Sequence, residues 1–265
     1  MPAILNTMKD LTLHQVYKIA SFVEGAIDLG ITINFSNKKN IELARQKAIS
    51  FDKHTLLHLF IKQEFTGFYK YWFLNMSEEV CSENIELQFI EDQFYEYGVD
   101  IDFLKIKYDE DDTPITTNRQ VENWYKKNSK KFDTLAERIC DEIFFILFSN
   151  RKLLHKFNEN NAMSFSKFCF QQNQLTNKGK LKRQRIPKWL QKAVFHRDKG
   201  RCSFCSTDLT KIINIESANN YDHIIPLDLF GINDPTNIQL LCKACNLDKL
   251  NRNTDVGTKY QEWFI

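Results

Sequence analysis

Nowhere in its 265 residues does the chain hold an apolar run long enough to span a bilayer, and it does not begin with the basic, apolar and small-residue succession of a secretory leader. The expected location is therefore the cytoplasm, with no membrane partner. A disulfide framework is missing too. Of seven cysteines, Cys81, Cys140 and Cys169 are scattered and read as buried thiols, while the other four fall into two spaced pairs. No strand-turn-helix phosphate loop, no G-x-S-x-G elbow and no repeat period occurs, which sets aside P-loop, α/β-hydrolase and solenoid chemistry. With 43% hydrophobic and 26% charged residues, the chain can bury a core and lacks the composition of a disordered one.

Net charge is also small, only +2, but it is unevenly spread. From Lys178 to Arg201 the basic residues Lys178, Lys180, Lys182, Arg183, Arg185, Lys188, Lys192, Arg197, Lys199 and Arg201 are opposed by Asp198 alone. Such a run neutralises phosphates and gives salt-sensitive binding to nucleic acid; a solvated charged linker is the competing explanation. Lys182, Arg183, Arg185 and Lys188 are the lead candidates for phosphate contact. Within the run, Pro187 suits the first turn of a short helix with Trp189, Leu190, Val194 and Phe195 on its apolar side, stopped by Gly200.

The four remaining cysteines form two C-x-x-C pairs, Cys202/Cys205 and Cys242/Cys245. Four thiolates at this spacing satisfy one tetrahedral zinc and clamp the intervening chain into a compact loop. Between the pairs lie Asp222, His223 and Asn237, with Asn246 directly after the last cysteine. These side chains suit a hard metal ion and a general base. Hydrolysis of a phosphodiester needs an activated water and a cation against the developing negative charge, and an imidazole with a bound divalent ion supplies both. Adjacent strand residues point to opposite faces, so Asp222 and His223 can share a site only if the chain bends or bulges there. Pro226 and the stretch Gly231-Ile232-Asn233-Asp234-Pro235 read as a strand end and a turn. Asn246 is expected on the first turn of a following helix, with Lys249 one turn further on the same face and able to meet a phosphate. A helix-capping role for Asn246 stands beside the metal role, and Asp228, Asp234 and Asp248 are alternative ligands.

The string Tyr221-Asp222-His223-Ile224-Ile225-Pro226-Leu227, followed by Thr236-Asn237-Ile238-Gln239-Leu240-Leu241-Cys242-Lys243-Ala244-Cys245-Asn246, resembles the zinc-containing HNH endonucleases of the ββα-metal superfamily. The resemblance covers roughly residues 186–253, including the lead-in Arg197-Asp198-Lys199-Gly200-Arg201-Cys202. It implies that His223 activates water, that Asn237 holds the loop orienting it, and that Asp222 and Asn246 bind a catalytic Mg²⁺ or Mn²⁺. The third motif position, usually histidine, is Asn246, whose amide oxygen suits a hard ion. It further implies a DNA substrate, with restriction or anti-phage defence as the kind of system in which such small proteins occur. A zinc knuckle that only binds nucleic acid or a protein is the alternative class.

The expected fold is α+β, with a mainly helical N-terminal domain over 1–177, targeting or regulatory, and an HNH nuclease domain over 178–265 that includes the basic lead-in. Thr12 and Gln15 are spaced as a capping box before Val16, Ile19, Phe22, Val23, Ala26 and Ile27 at helical intervals. Further helices are expected near 54–75, 83–97, 121–127 and 134–157. Acids dominate 78–112, ending in Asp109-Glu110-Asp111-Asp112, which reads as a solvated loop because consecutive acids cannot converge on one ion. An acidic surface of this kind would repel DNA or mask the basic run, and a sensor or ATPase is the expected type of protein partner for the N-terminal domain.

Overall fold

The computed structural model of the chain describes residues 11, 13, 16–34, 38–74, 84–111, 115–167, 170–211, 220–249, 254–258 and 260. Along the chain run α1 (Val16–Asp28), α2 (Lys38–Ile49), α3 (Leu56–Leu74), α4 (Asn84–Glu96), α5 (Asn118–Phe148), α6 (Arg151–Phe165), α7 (Lys188–Arg197), strand β1 (Asn220–His223), strand β2 (Ile238–Leu241) and α8 (Lys243–Lys249). The N-terminal region is mainly helical, and the C-terminal region is a small two-strand-plus-helix arrangement. Among the described residues no helix is long and apolar enough to cross a membrane. Thr12, Gln15, Cys81, Cys169 and Asp112 lie outside the described residues.

Two compact units divide the chain, one of Met1–Val23 with Ile61–Phe144 and one of Glu24–Phe60 with Phe145–Ile265. In the first, Phe132 is fully buried and collects Tyr69, Phe73, Phe94 and Tyr125 at ring separations of 5.6, 5.4, 4.9 and 5.0 Å. Edge and tilted geometries dominate these contacts, as the ring quadrupoles favour. Phe73, Phe94 and Phe132 are therefore core.

Helix α5 corrects the expectation of separate helices at 121–127 and 134–157. It runs unbroken for 31 residues. Val121, Tyr125, Asn128, Phe132, Leu135 and Ile139 are all buried at intervals of three and four, so the inward stripe continues through the polar stretch. Asn128 keeps its place there by donating to the Trp124 carbonyl at 2.9 Å. The real break comes at Asn150, whose side chain accepts from the Leu153 amide at 3.1 Å and caps α6. Helix α2 had no expectation at all; apart from Ala44 and Ala48 it buries little.

In the second unit, β1 and β2 pair antiparallel in regular register, with Asp222 opposite Gln239 and His223 opposite Ile238. All four β2 residues are buried. Leu190 and Val194 of α7 pack on Cys202, Leu209, Ile238, Leu240 and Leu241, with Trp189 and Phe195 partly buried beside them. Pro187 precedes α7 as its N-cap, and Gly200 at φ 64° takes the left-handed turn that follows. Arg197 of the basic run and Asp198, the acid that opposes the run, turn inward here. Arg197 pairs with Asp198 at 2.9 Å and donates to the Ile238 carbonyl at 2.8 Å, while Asp198 accepts from the Leu240 amide at 3.0 Å. Arg197 is thus part of the scaffold that holds β2, because a buried guanidinium needs a carboxylate and acceptors around it.

The loop between the strands is tied to distant parts of the same unit. Asn233 donates its amide to the Ala48 carbonyl at 2.9 Å. The Asp234 carboxylate, 1% exposed, accepts from the amides of Leu56 at 2.8 Å and Thr236 at 2.9 Å. Asn158 of α6 donates to Thr236 Oγ1 at 3.2 Å. At Gly231 a β-carbon would sit 1.9 Å from the Ile225 carbonyl oxygen, so only glycine closes this loop.

Candidate functional site

Cys202 and Cys205 flank a tight turn, and Cys242 and Cys245 lie between the end of β2 and the first turn of α8. The four sulfurs all lie within 4.8 Å of one another. Cys205 Sγ and Cys242 Sγ are 3.7 Å apart. Two ligands at ~2.3 Å from one tetrahedral zinc are separated by about 3.8 Å, so the cluster is consistent with structural zinc. The Cys245 amide donates to Cys242 Sγ at 3.4 Å. Burial opposes ionisation of Cys205, yet hydrogen bonds from Thr207 and the neighbouring thiols bring it down to about 6. Burial and the adjacent sulfurs push Cys202 and Cys245 up. Sulfurs this close lose their protons together only when a cation neutralises them, which a closed zinc site does.

A cleft of about 180 Å³ is lined by Lys180, Arg183, Asp222, His223 and Asp228, among others. No bulge is needed to bring Asp222 and His223 together. β1 is regular to its last residue, His223, and the chain bends immediately afterwards at Ile224 and Ile225.

His223 is 2% exposed. Its Nε2 lies 3.2 Å from Asn233 Oδ1. The orientation of that amide is set by two further bonds: Asn233 Nδ2 donates to the Lys182 carbonyl at 3.0 Å, and Oδ1 accepts from the Gln184 amide at 3.4 Å. Oδ1 is therefore an acceptor, Nε2 carries the hydrogen, and Nδ1 keeps the lone pair. Burial, reinforced by the Arg183 charge and opposed by Asp222, lowers the imidazole to about 4, so it is neutral at pH 7. Asn233 went unnoticed in the sequence because an Asn before Asp-Pro reads as turn chemistry. Its position in the loop between the cysteine pairs was the available signal.

Asn237 is completely buried and devotes its side chain to the loop after His223. Oδ1 accepts from the Ile225 amide at 2.8 Å, and Nδ2 donates to the carbonyls of Ile225 and Ile232, each at 3.0 Å. Asp222 is engaged on both oxygens, with Arg183 at 3.0 Å and Lys249 Nζ at 2.9 Å. Lys249 does not face solvent: its side chain is 0% exposed, and Nζ also donates to the His223 carbonyl at 2.6 Å. Asn246 lies in α8, half-buried, and does not line the cleft. Of the alternative acids, Asp228 lines the cleft and Asp248 lines a separate pocket with Cys245 and Lys249. Asp234 is used up by its clamp, and burial raises its carboxyl. Lys182, Arg185 and Lys188 are exposed, with Lys182 Nζ donating to the Asn173 carbonyl at 2.9 Å.

The carboxylate of Asp222 and the amide of Asn246 are oxygen donors of the kind a hard divalent ion takes. Each oxygen of that carboxylate already holds one cation.

Comparison with known families matches residues 202–252 to HNH endonuclease. No curated protein and no solved structure matches the chain. The matched segment holds both cysteine pairs, the Asp222-His223 strand, the Asn237 brace and α8: residues 202–252 form an HNH endonuclease domain, which implies a phosphodiester hydrolase acting on nucleic acid.

Proposed function

We propose that this domain hydrolyses DNA phosphodiesters with a divalent ion, Mg²⁺ or Mn²⁺, beside a structural zinc held by Cys202, Cys205, Cys242 and Cys245. The observation that carries the reading is the shared cleft of Asp222 and His223, walled by Lys180 and Arg183. His223 is the general base: uncharged at neutral pH, it keeps the Nδ1 lone pair for the proton of an attacking water, with Nε2–H held by Asn233. Asn237 fixes the loop that carries this ring. Asp222 would hold the ion from the cleft and Asn246 from α8, outside the cleft lining, and the ion when bound would offset the charge gathering on the phosphate. Exposed Lys182, Arg183, Arg185 and Lys188 meet DNA phosphates, while Lys249 acts from inside, steadying Asp222.

In this reading the nuclease domain spans 178–265, and the helical region over 1–177 targets or regulates it, with a sensor or ATPase as the protein partner. A restriction or anti-phage defence effector in the cytoplasm is the corresponding biological role. One observation favours the competing reading, a zinc knuckle that binds without cutting: both Asp222 oxygens already hold cations.

Supercoiled plasmid separates the two. The zinc-loaded protein with Mg²⁺ or Mn²⁺ is expected to nick it, and His223→Ala to lower the rate at least ~10²-fold with folding and zinc intact. DNA binding without nicking in either metal would establish the knuckle reading instead.

A further inference from the structure

The two cations on Asp222 are unequal. Lys249 Nζ sits on Oδ2 with its side chain wholly buried and a second bond to the His223 carbonyl. Withdrawing it would strand an ammonium inside the protein, so it is a fixture. Arg183 sits on Oδ1 at 3.0 Å, and its side chain is 60% exposed. It belongs to an irregular stretch outside any helix or strand, with exposed Lys182 and Arg185 on either side. An exposed arginine–carboxylate pair is held weakly, and a phosphate oxygen offers the same guanidinium an equally good planar partner.

Oδ1 is thus the oxygen that a divalent ion can gain, and Arg183 is the group in its way. We infer that Arg183 gates the ion site: in the free protein its guanidinium covers Asp222 Oδ1, and a DNA phosphate draws it off, so that substrate binding and ion binding are coupled. The inference rests on the nuclease reading above and assigns Arg183 a positioning role. Throughout the exchange the carboxylate keeps a cation, since Lys249 stays in place. One cation leaves the carboxylate as the ion arrives, and the guanidinium moves from carboxylate to phosphate. Ion affinity without DNA is held down by the covering guanidinium, and by linkage DNA and ion each raise the other's affinity by the same factor. For an exposed pair that factor is about fivefold.

The test measures Mn²⁺ binding by the loss of its free electron-paramagnetic signal, in full-length zinc-loaded protein carrying His223→Ala so that bound duplex stays intact. Against that background Arg183→Gln should bind Mn²⁺ about fivefold more tightly without DNA, and the tightening produced by a short duplex should shrink by the same factor. Lys182→Gln and Arg185→Gln serve as controls: they weaken DNA binding but should leave Mn²⁺ affinity in its absence unchanged. If Arg183→Gln binds Mn²⁺ no better than its parent, while binding still depends on Asp222 and the unmutated protein nicks plasmid, the gate is refuted and the nuclease reading survives. If Asp222→Asn changes Mn²⁺ binding neither with nor without duplex, the ion site itself is wrong and both fall.

Discussion

Replacing Asn237 tests whether the loop after His223 is braced as described. The side chain is fully buried and makes three bonds, all to loop backbone: one accepted from the Ile225 amide and two donated to the carbonyls of Ile225 and Ile232. Asn237→Ala leaves one buried N–H and two buried carbonyls without these partners. An orphaned buried group costs ~1–3 kcal/mol, and partial relaxation of the loop brings the sum to about 3 kcal/mol. For a unit of this size that corresponds to a fall in Tm of about 6–12 °C. Asn237→Asp, nearly isosteric, separates the donated bonds from the accepted one. It keeps an acceptor for the Ile225 amide but aims a carboxylate oxygen at two carbonyl oxygens, so it should be at least as destabilising as alanine. Thermal unfolding followed by near-ultraviolet circular dichroism, with zinc content checked in parallel, reads both variants. Nicking should fall in both at temperatures where they remain folded. An aspartate variant as stable as the wild type would mean that Nδ2 makes no such bonds and that the brace is misassigned.

Three further outcomes follow from the site. Cys202→Ser should drop bound zinc from about one per chain toward none and destabilise the strand-helix region, measured by metal analysis and limited proteolysis; full zinc retention would remove Cys202 from the ligand set. Because His223 is lowered to about 4 in the fold against ~6.5 unfolded, the unfolded chain binds the extra proton first, and stability falls as pH drops from 7 to 4. That loss is about 3 kcal/mol relative to His223→Gln, in which the burial of Asp234 and the thiol protonations are shared and cancel; parallel denaturation curves for the two proteins would refute it. Neutralising Lys182, Arg185 and Lys188 together should flatten the slope of log affinity against log salt by about two to three for unrelated duplexes, and an unchanged slope would reduce the segment to a connector.

The bracing of the loop by Asn237 was legible through the family resemblance, and the cysteine cluster was legible in the sequence because zinc-type spacing is local. Helices α3, α4 and α7 were legible for a similar reason, their apolar residues recurring at helical intervals. Charge was harder to read. Arg197 and Lys249 look like surface cations in a one-dimensional string, yet each is buried against a carboxylate, and only the tertiary partner decides that. The continuity of α5 was hidden because Asn128 fills an inward position that a hydrophobic count skips. Asn233 was hidden by its neighbours, since turn chemistry explains its residue type without any role toward His223.

The loop that carries Asn233, Asp234 and Thr236 is pinned by Ala48, Leu56 and Asn158. During synthesis these anchors leave the ribosome well before the loop does, and domains fold in the order in which they emerge. The segment bearing His223 therefore meets docking groups made earlier, and it gains its ordered shape only once they are in place. A ribosome that stalls before the second cysteine pair releases a chain without Cys242 and Cys245, so an interrupted translation product carries no complete four-cysteine cluster.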